Sequence, residues 1–203
     1  MTADVSIIDC GRGNLRSLAG ALDRLGVAHD RASTPSAVLE ARRLILPGVG
    51  AFDRFMRALR ERDLDDAIRR AVERGAPLLG ICVGMQVLAA RGREHGDHEG
   101  LGLIDAVVDR IAPADPACRV PHVGWNLVEP AVSHPLLPGA AAFYFVHGYA
   151  MKPNDPSDAI AIADHGGPLT AAVARDHVAG VQFHPEKSQE AGLELLRRYC
   201  AAA

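Results

Sequence analysis

Gly80-Ile81-Cys82-Val83-Gly84 (GICVG) is the stretch whose reading decides the fold. The apolar run Pro77-Leu78-Leu79 leads into it, and an amphipathic segment through Met85 and Gln86 follows. This pattern predicts a buried strand up to Cys82, then a helix running to about Arg91. A cysteine between two glycines at such a corner has the form of a nucleophile elbow, in which a strand turns abruptly into a helix and the nucleophile takes a strained backbone. Side chains at the flanking positions would collide with the neighbouring strand and helix. The helix N-terminus favours a thiolate at Cys82. The first helical N–H groups point into the space beside the sulfur, where they can receive an oxyanion.

Outward from the elbow, the first half of the chain alternates strand and helix. Val5–Ile8 is a short β-type run, and Asn14 stands where it can cap a helix carrying Leu15, Leu18, Leu22 and Leu25 to a stop at Gly26. A weaker strand over 27–32 leads to a short helix over 35–42. The run Leu44-Ile45-Leu46-Pro47 then ends in the glycine-rich GVGAF. One helix is predicted to carry Phe52, Phe55, Met56, Leu59, Leu64, Ile68 and Val72 and to stop at Gly75. These strands are continuous apolar runs, as in a parallel sheet covered on both faces by helices.

The second half predicts strands over 101–111, 123–128, 142–146, 159–163, 171–175 and 178–183, and a final helix capped by Ser188. The whole therefore predicts an α/β architecture of three layers, which the family resemblance given below narrows to the flavodoxin-like form. Its central sheet is mostly parallel, with added antiparallel strands in the C-terminal half. Residues 1–203 are expected to form one domain, because no linker divides them.

The chain has 203 residues and a net charge of −3, which favours neither nucleic acid nor an anionic membrane as a partner. The N-terminus lacks a basic leader and carries Asp4 and Asp9, so no signal peptide is expected, and no apolar run reaches the ~18 residues of a membrane span. Cys10, Cys82, Cys118 and Cys200 are far apart in sequence and form no C-x-x-C pair. A reducing cytoplasm is the expected setting. His95, Asp97 and His98 read as a charged loop, since no further ligand has metal-site spacing, and no metal or cofactor is expected.

A thiol nucleophile needs a base and a group to orient that base. His184, in Val181-Gln-Phe-His184-Pro-Glu186-Lys187-Ser188, ends a predicted strand, and Glu186 lies two residues on. In extended chain, residues two apart face the same way. Glu186 can thus accept from one ring nitrogen of His184 and leave the other for the sulfur.

GICVGMQ with a distant QFHPE resembles the class I, triad-type glutamine amidotransferases. DCGRGNLRS, LPGVGAF, PHVGWN (residues 121–126), FYFVHGY (143–149) and GVQFHPEKS (180–188) are similar to one branch of that family, the glutaminase subunits of imidazole glycerol phosphate synthase. The resemblance implies that Cys82 attacks the side-chain amide of glutamine, that His184 moves the protons and that Glu186 orients His184. It implies an oxyanion hole of backbone N–H groups at Val83 and at Val49 or Gly50, and contact of Gln86 and Glu94 with the glutamine head group. It further implies a heterodimer with a (β/α)8-barrel cyclase subunit that takes the ammonia. Pro121, His122, Trp125 and Lys187 match interface positions.

Gly48 and Gly50 bracket Val49, so the resemblance also suggests a peptide flip that completes the hole. Three positions depart from the branch pattern: Cys10 for tyrosine, Val83 for leucine, and Gly148 for serine or threonine. On the residues alone two other readings stay open: a silent module that keeps the fold and binds a barrel, and a glutaminase serving another acceptor synthase.

Overall fold

The computed structural model describes residues 3–201. In chain order the elements are β1 (Val5–Ile8), α1 (Leu15–Arg24), β2 (His29–Ala32), α2 (Pro35–Glu40), β3 (Leu44–Gly48), α3 (Phe52–Arg60), α4 (Leu64–Glu73), β4 (Leu78–Cys82) and α5 (Val83–Gln86). There follow β5 (Ala89–Gly92), β6 (His98–Glu99), β7 (Ile104–Arg110), β8 (His122–Pro130), β9 (Ala141–His147), β10 (Tyr149–Pro153), β11 (Ala159–Asp164), β12 (Pro168–Arg175), β13 (Val178–Val181) and α6 (Gln189–Ala201).

The main sheet has nine strands in the order β2-β1-β3-β4-β13-β12-β11-β8-β9. Pairing is parallel from β2 to β13 and antiparallel from β13 to β9. The sheet is therefore mixed, with a larger antiparallel share than the sequence suggests and β13 as the hinge between the two halves. This places β4 in the parallel half with β13 beside it, in a register that pairs Gly80 with Gly180 and Ile81 with Val181. Strands β1, β3, β4 and β13 are buried along their whole length, as their unbroken apolar runs require. A second sheet, β10-β7-β5-β6, holds the remaining strands.

Two sequence expectations are corrected here. The single helix expected through Phe52 and Val72 is two helices, α3 and α4, broken at Asp63, whose φ is +54°. The phase of the apolar face explains the break. Continuing from Leu59, the core-facing positions are 62 and 63, and both are polar, Arg62 and Asp63. A continuous helix would bury a charge; the turn resets the phase so that Leu64, Ile68 and Val72 face inward.

The helix expected to run to Arg91 lasts one turn, Val83–Gln86, and strand β5 follows. The carbonyls of Val87, Leu88 and Ala90 accept from the N–H groups of Leu101, Leu103, Ile104 and Gly100 instead of from a further helical turn. Two glycines permit that approach. A Cβ at Gly92 would lie 2.6 Å from the Phe52 ring, and one at Gly100 would lie 2.1 Å from the Ala89 carbonyl oxygen. Periodicity could not show this, because Val83, Met85, Val87, Leu88 and Ala89 are all buried and leave no polar face to count.

Candidate active site

The elbow is built as its glycines require. Cys82 holds φ +56° and ψ −114°, a conformation costly for a residue with a side chain. A Cβ on Gly84 would stand 1.8 Å from the Leu46 carbonyl oxygen, one on Gly80 2.5 Å from the Gly84 carbonyl oxygen, and one on Gly48 2.5 Å from the Gly84 nitrogen. Three glycines therefore let β3, β4 and α5 approach backbone to backbone. With α5 only one turn long, a macrodipole is not what acts on the sulfur; the local N–H groups at Val83 and beyond remain, as does the neighbouring imidazole.

His184 follows β13 and is brought to the same end of the sheet as Cys82 by the parallel pairing of β13 with β4. Its Nδ1 lies 2.8 Å from Glu186 Oε1, and both side chains are nearly excluded from solvent. Glu186 reaches the ring from a single 3-10 turn, Pro185–Lys187, and not from the extended chain expected. His184 Nε2 is buried and makes no hydrogen bond of regular geometry, yet Cys82 stands near enough to act on its titration. Burial works to lower the His184 pKa, but the interactions with Cys82 and Glu186 outweigh it and hold it up at about 9.

The loop carrying this pair is pinned by Ser188. Its Oγ donates to the His184 carbonyl oxygen at 2.6 Å and accepts from the Tyr144 N–H at 3.0 Å. In place of the expected cap on the last helix, the Ser188 hydroxyl ties the loop of His184 to β9. Asn14 stands at the start of α1 but makes no side-chain cap bond there.

A cavity of about 310 Å³ opens on the sulfur and is lined by Val49, Gly50, Cys82, Val83, Gln86, Glu94, Val146, His147, Gly148, Tyr149 and His184. Every residue expected to meet glutamine or its oxyanion thus faces one space. Gly50 has φ +96° and open surroundings, so its backbone is free of side-chain obstruction. Gly48, by contrast, is fixed by its packing on Gly84, which leaves the two sides of Val49 unequal as hinges.

Glu94 does two things: its Oε2 accepts from the Phe52 N–H at 2.9 Å, closing the start of α3, while its side chain faces the cavity. At Gly148 a Cβ would make only ordinary contacts, at 3.8 Å or more, so the missing hydroxyl leaves room in the wall.

Sequence reading missed His147 and Gln182. His147 Nδ1 lies 2.9 Å from the Tyr149 carbonyl, which can only accept, so Nδ1 carries the proton. Its Nε2 then accepts from His122 Nδ1 at 3.0 Å. His122, which the resemblance matches to an interface position, opens β8 and turns its ring to the buried face of that strand, while Pro121 and Trp125 are exposed. Burial pushes His122 and His147 each down to about 4, and the neighbouring histidines add to it.

Both rings are therefore neutral in the fold at pH 7. Between about pH 6.5 and 4 the unfolded chain binds more protons than the folded one, so their contribution is present above pH 6.5 and lost as pH falls through this window. We expect the pair to take about 3–4 kcal/mol from folding stability between pH 7 and pH 5, up to about 2 kcal/mol for each ring. Denaturant titrations of the wild type and of a His122→Asn/His147→Gln double variant at the two pH values check this. The variant should show the smaller difference.

The outward face of β8 and β9 is apolar. Val123, Trp125, Leu127 and Val146 are each 40–57% exposed, and strand register pairs Val123 with Val146 and Trp125 with Tyr144. Lys187 Nζ lies 5.8 Å from the centre of the Tyr144 ring on the same side. Val146 also lines the cavity, so this face runs up to the mouth of the site.

The fold is that of a class I amidotransferase, and the chain belongs to the class-I glutamine amidotransferase family, whose model matches residues 6–202. Among its relatives is the imidazole glycerol phosphate synthase subunit HisH of Zymomonas mobilis, 51% identical over 98% of this chain and 95% of that one. The protein of the same name from Rhodospirillum rubrum is 48% identical over 96% of this chain and 97% of its own length. In fold the chain is similar to a crystal structure of a glutamine amidotransferase, with a TM-score of 0.76 at 23% identity over 97% of this chain and 96% of that one. It is also similar to a chain of PurLQS from Thermotoga maritima, with a TM-score of 0.72 at 17% identity over 98% of both. No helix among the described residues is long and apolar enough to cross a membrane.

Proposed function

We propose that this chain is the glutaminase subunit of imidazole glycerol phosphate synthase, acting in histidine biosynthesis through Cys82, His184 and Glu186. The observation that carries the chemistry is the meeting of Cys82 and the Glu186-bound His184 in one cavity, and the full-length relatives carry the choice of synthase.

The Cys82 thiolate attacks the carboxamide carbon of glutamine, and the oxygen takes up negative charge. The Val83 N–H, with one at Val49 or Gly50, receives that oxyanion. The imidazolium of His184 gives its Nε2 proton to the nitrogen as the C–N bond breaks, and ammonia leaves behind a thioester on Cys82. Neutral His184 then takes a proton from water, whose oxygen attacks the thioester and releases glutamate. Glu186 holds the ring in one tautomer throughout and stabilises its charged form.

Gln86 spends its N–H groups on Tyr149 and Gln182, which leaves its Oε1 to accept from the substrate. Glu94 lines the same space, and its carboxylate charge suits the substrate's ammonium group. These roles do not depend on a hydroxyl at position 148.

The ammonia is passed to a cyclase partner of (β/α)8-barrel fold. The exposed apolar strip on β8 and β9, with Lys187 at its side, supports docking of that partner over the cavity mouth. Glutamate release measured with and without the purified cyclase tests the function: release should rise on adding the partner. Release that ignores the partner would contradict the reading. Trp125, as a half-exposed aromatic at the centre of the strip, is the expected anchor. Trp125→Ala should weaken assembly by roughly 30-fold, about 2 kcal/mol, as read by titration calorimetry, with the fold unchanged.

A further inference from the structure

We infer that Gln182 is a further catalytic residue, a carboxamide that presents an N–H to the Cys82 sulfur. The inference rests on the reading of Cys82 as nucleophile. Gln182 is wholly buried, two residues before His184, and its Nε2 lies 3.9 Å from Cys82 Sγ. A carboxamide can turn either its oxygen or its nitrogen towards a neighbour, so the direction of this one has to be decided by its surroundings.

One backbone carbonyl decides it. The Tyr149 oxygen can only accept, and Gln86 stands 2.9 Å from it; the Gln86 group there must be the NH2. The same nitrogen lies 3.0 Å from Gln182, so the Gln182 atom facing it is the oxygen. The remaining end of Gln182, the NH2, is the one aimed at sulfur. The Tyr149 oxygen also accepts from His147 Nδ1, which locks that carbonyl from a second side. Every orientation in the chain from Tyr149 to Cys82 therefore follows from one acceptor.

The chemical consequence concerns the charged sulfur. A thiolate buried at 3% exposure has little water to solvate it, and a fixed N–H donor replaces part of that solvation. His184 supplies the counter-charge but gives its Nε2 proton away as general acid, and with it the charge. Gln182 carries no transferable charge, so it stays a donor to sulfur through both acylation and deacylation. Its donor is strongest to the thiolate, and to the same sulfur again as it leaves in thioester hydrolysis.

The test uses two variants of the full chain. Gln182→Glu keeps an oxygen for Gln86 and is isosteric, but turns an oxygen in place of the N–H towards sulfur. Gln182→Met removes the donor without adding charge. Cys82 alkylation by iodoacetamide at pH 7, followed by peptide mass so that the other cysteines do not count, should slow severalfold in both, more in Gln182→Glu. With the cyclase present, kcat for glutamine should fall roughly tenfold in Gln182→Glu with KM within about twofold.

The sign separates this from a packing role. A merely loosened pocket would expose the sulfur and speed its alkylation, and faster or unchanged alkylation in a folded variant overturns the inference. If Cys82 of the wild-type chain resists iodoacetamide while glutamine is still consumed, the reading of Cys82 fails, and this inference with it.

Discussion

Gly84→Ala is expected to cost the fold on the order of 4 kcal/mol, lowering the melting temperature by roughly 8–16 °C. The added methyl carbon would stand 1.8 Å from the Leu46 carbonyl oxygen and 2.9 Å from its carbon. These are backbone atoms of a central strand buried along its whole length, so neither a rotamer change nor a small shift can relieve the overlap. Strand β3 or α5 must move, and each carries part of the site: Val49 and Gly50 follow β3, and Val83 opens α5. Activity should therefore fall with stability. Gly20→Ala serves as the internal comparison, because the position lies within α1 and an added Cβ there would meet nothing within 4 Å. There the gain in helix propensity should leave the melting temperature equal or slightly higher. Differential scanning calorimetry of the two variants side by side reads both effects.

What the sequence makes legible is the chemistry held in short segments. The elbow is readable because each of its glycines has a local steric reason, and His184 with Glu186 because two residues of the right kind stand two apart at a strand end. The parallel half is readable from apolar runs. What escapes are arrangements settled by distant segments.

The short α5 ends where residues 100–104 claim its carbonyls, a pairing that local periodicity does not contain. The α3–α4 break does leave a trace, since Arg62 and Asp63 fill both positions a continuous apolar face would need. Ser188 has the look of a helix cap and is used as a staple, because Tyr144, far away in sequence, offers the competing N–H. Gln182 carries a signal as well: it shares the alternation of His184 in QFH, so a polar side chain at a buried strand end is aimed at the same place. His122 could not be told from its exposed neighbours Pro121 and Trp125 in the sequence, because which face of β8 it takes is set by its pairing with His147 of β9.

The second large effect concerns the sulfur itself. In the proposed function the acyl intermediate forms on Cys82, and no other group lining the cavity is placed to replace it: His184 has its Nδ1 engaged by Glu186, and Glu94 is held by the start of α3. Cys82→Ala should therefore lower glutamine-dependent turnover by on the order of 10⁴-fold or more. The change removes one buried sulfur from a crowded site and adds no bulk, so the fold and the docking strip should persist. If, as proposed, the cyclase takes only ammonia from this chain, free ammonium salts should restore product formation in the same complex.

The most direct measurement is thus product formation by the assembled pair carrying Cys82→Ala, with glutamine and with ammonium supplied in separate reactions. The account predicts no detectable product from glutamine and wild-type rates from ammonium. Continued use of glutamine by that variant would contradict it.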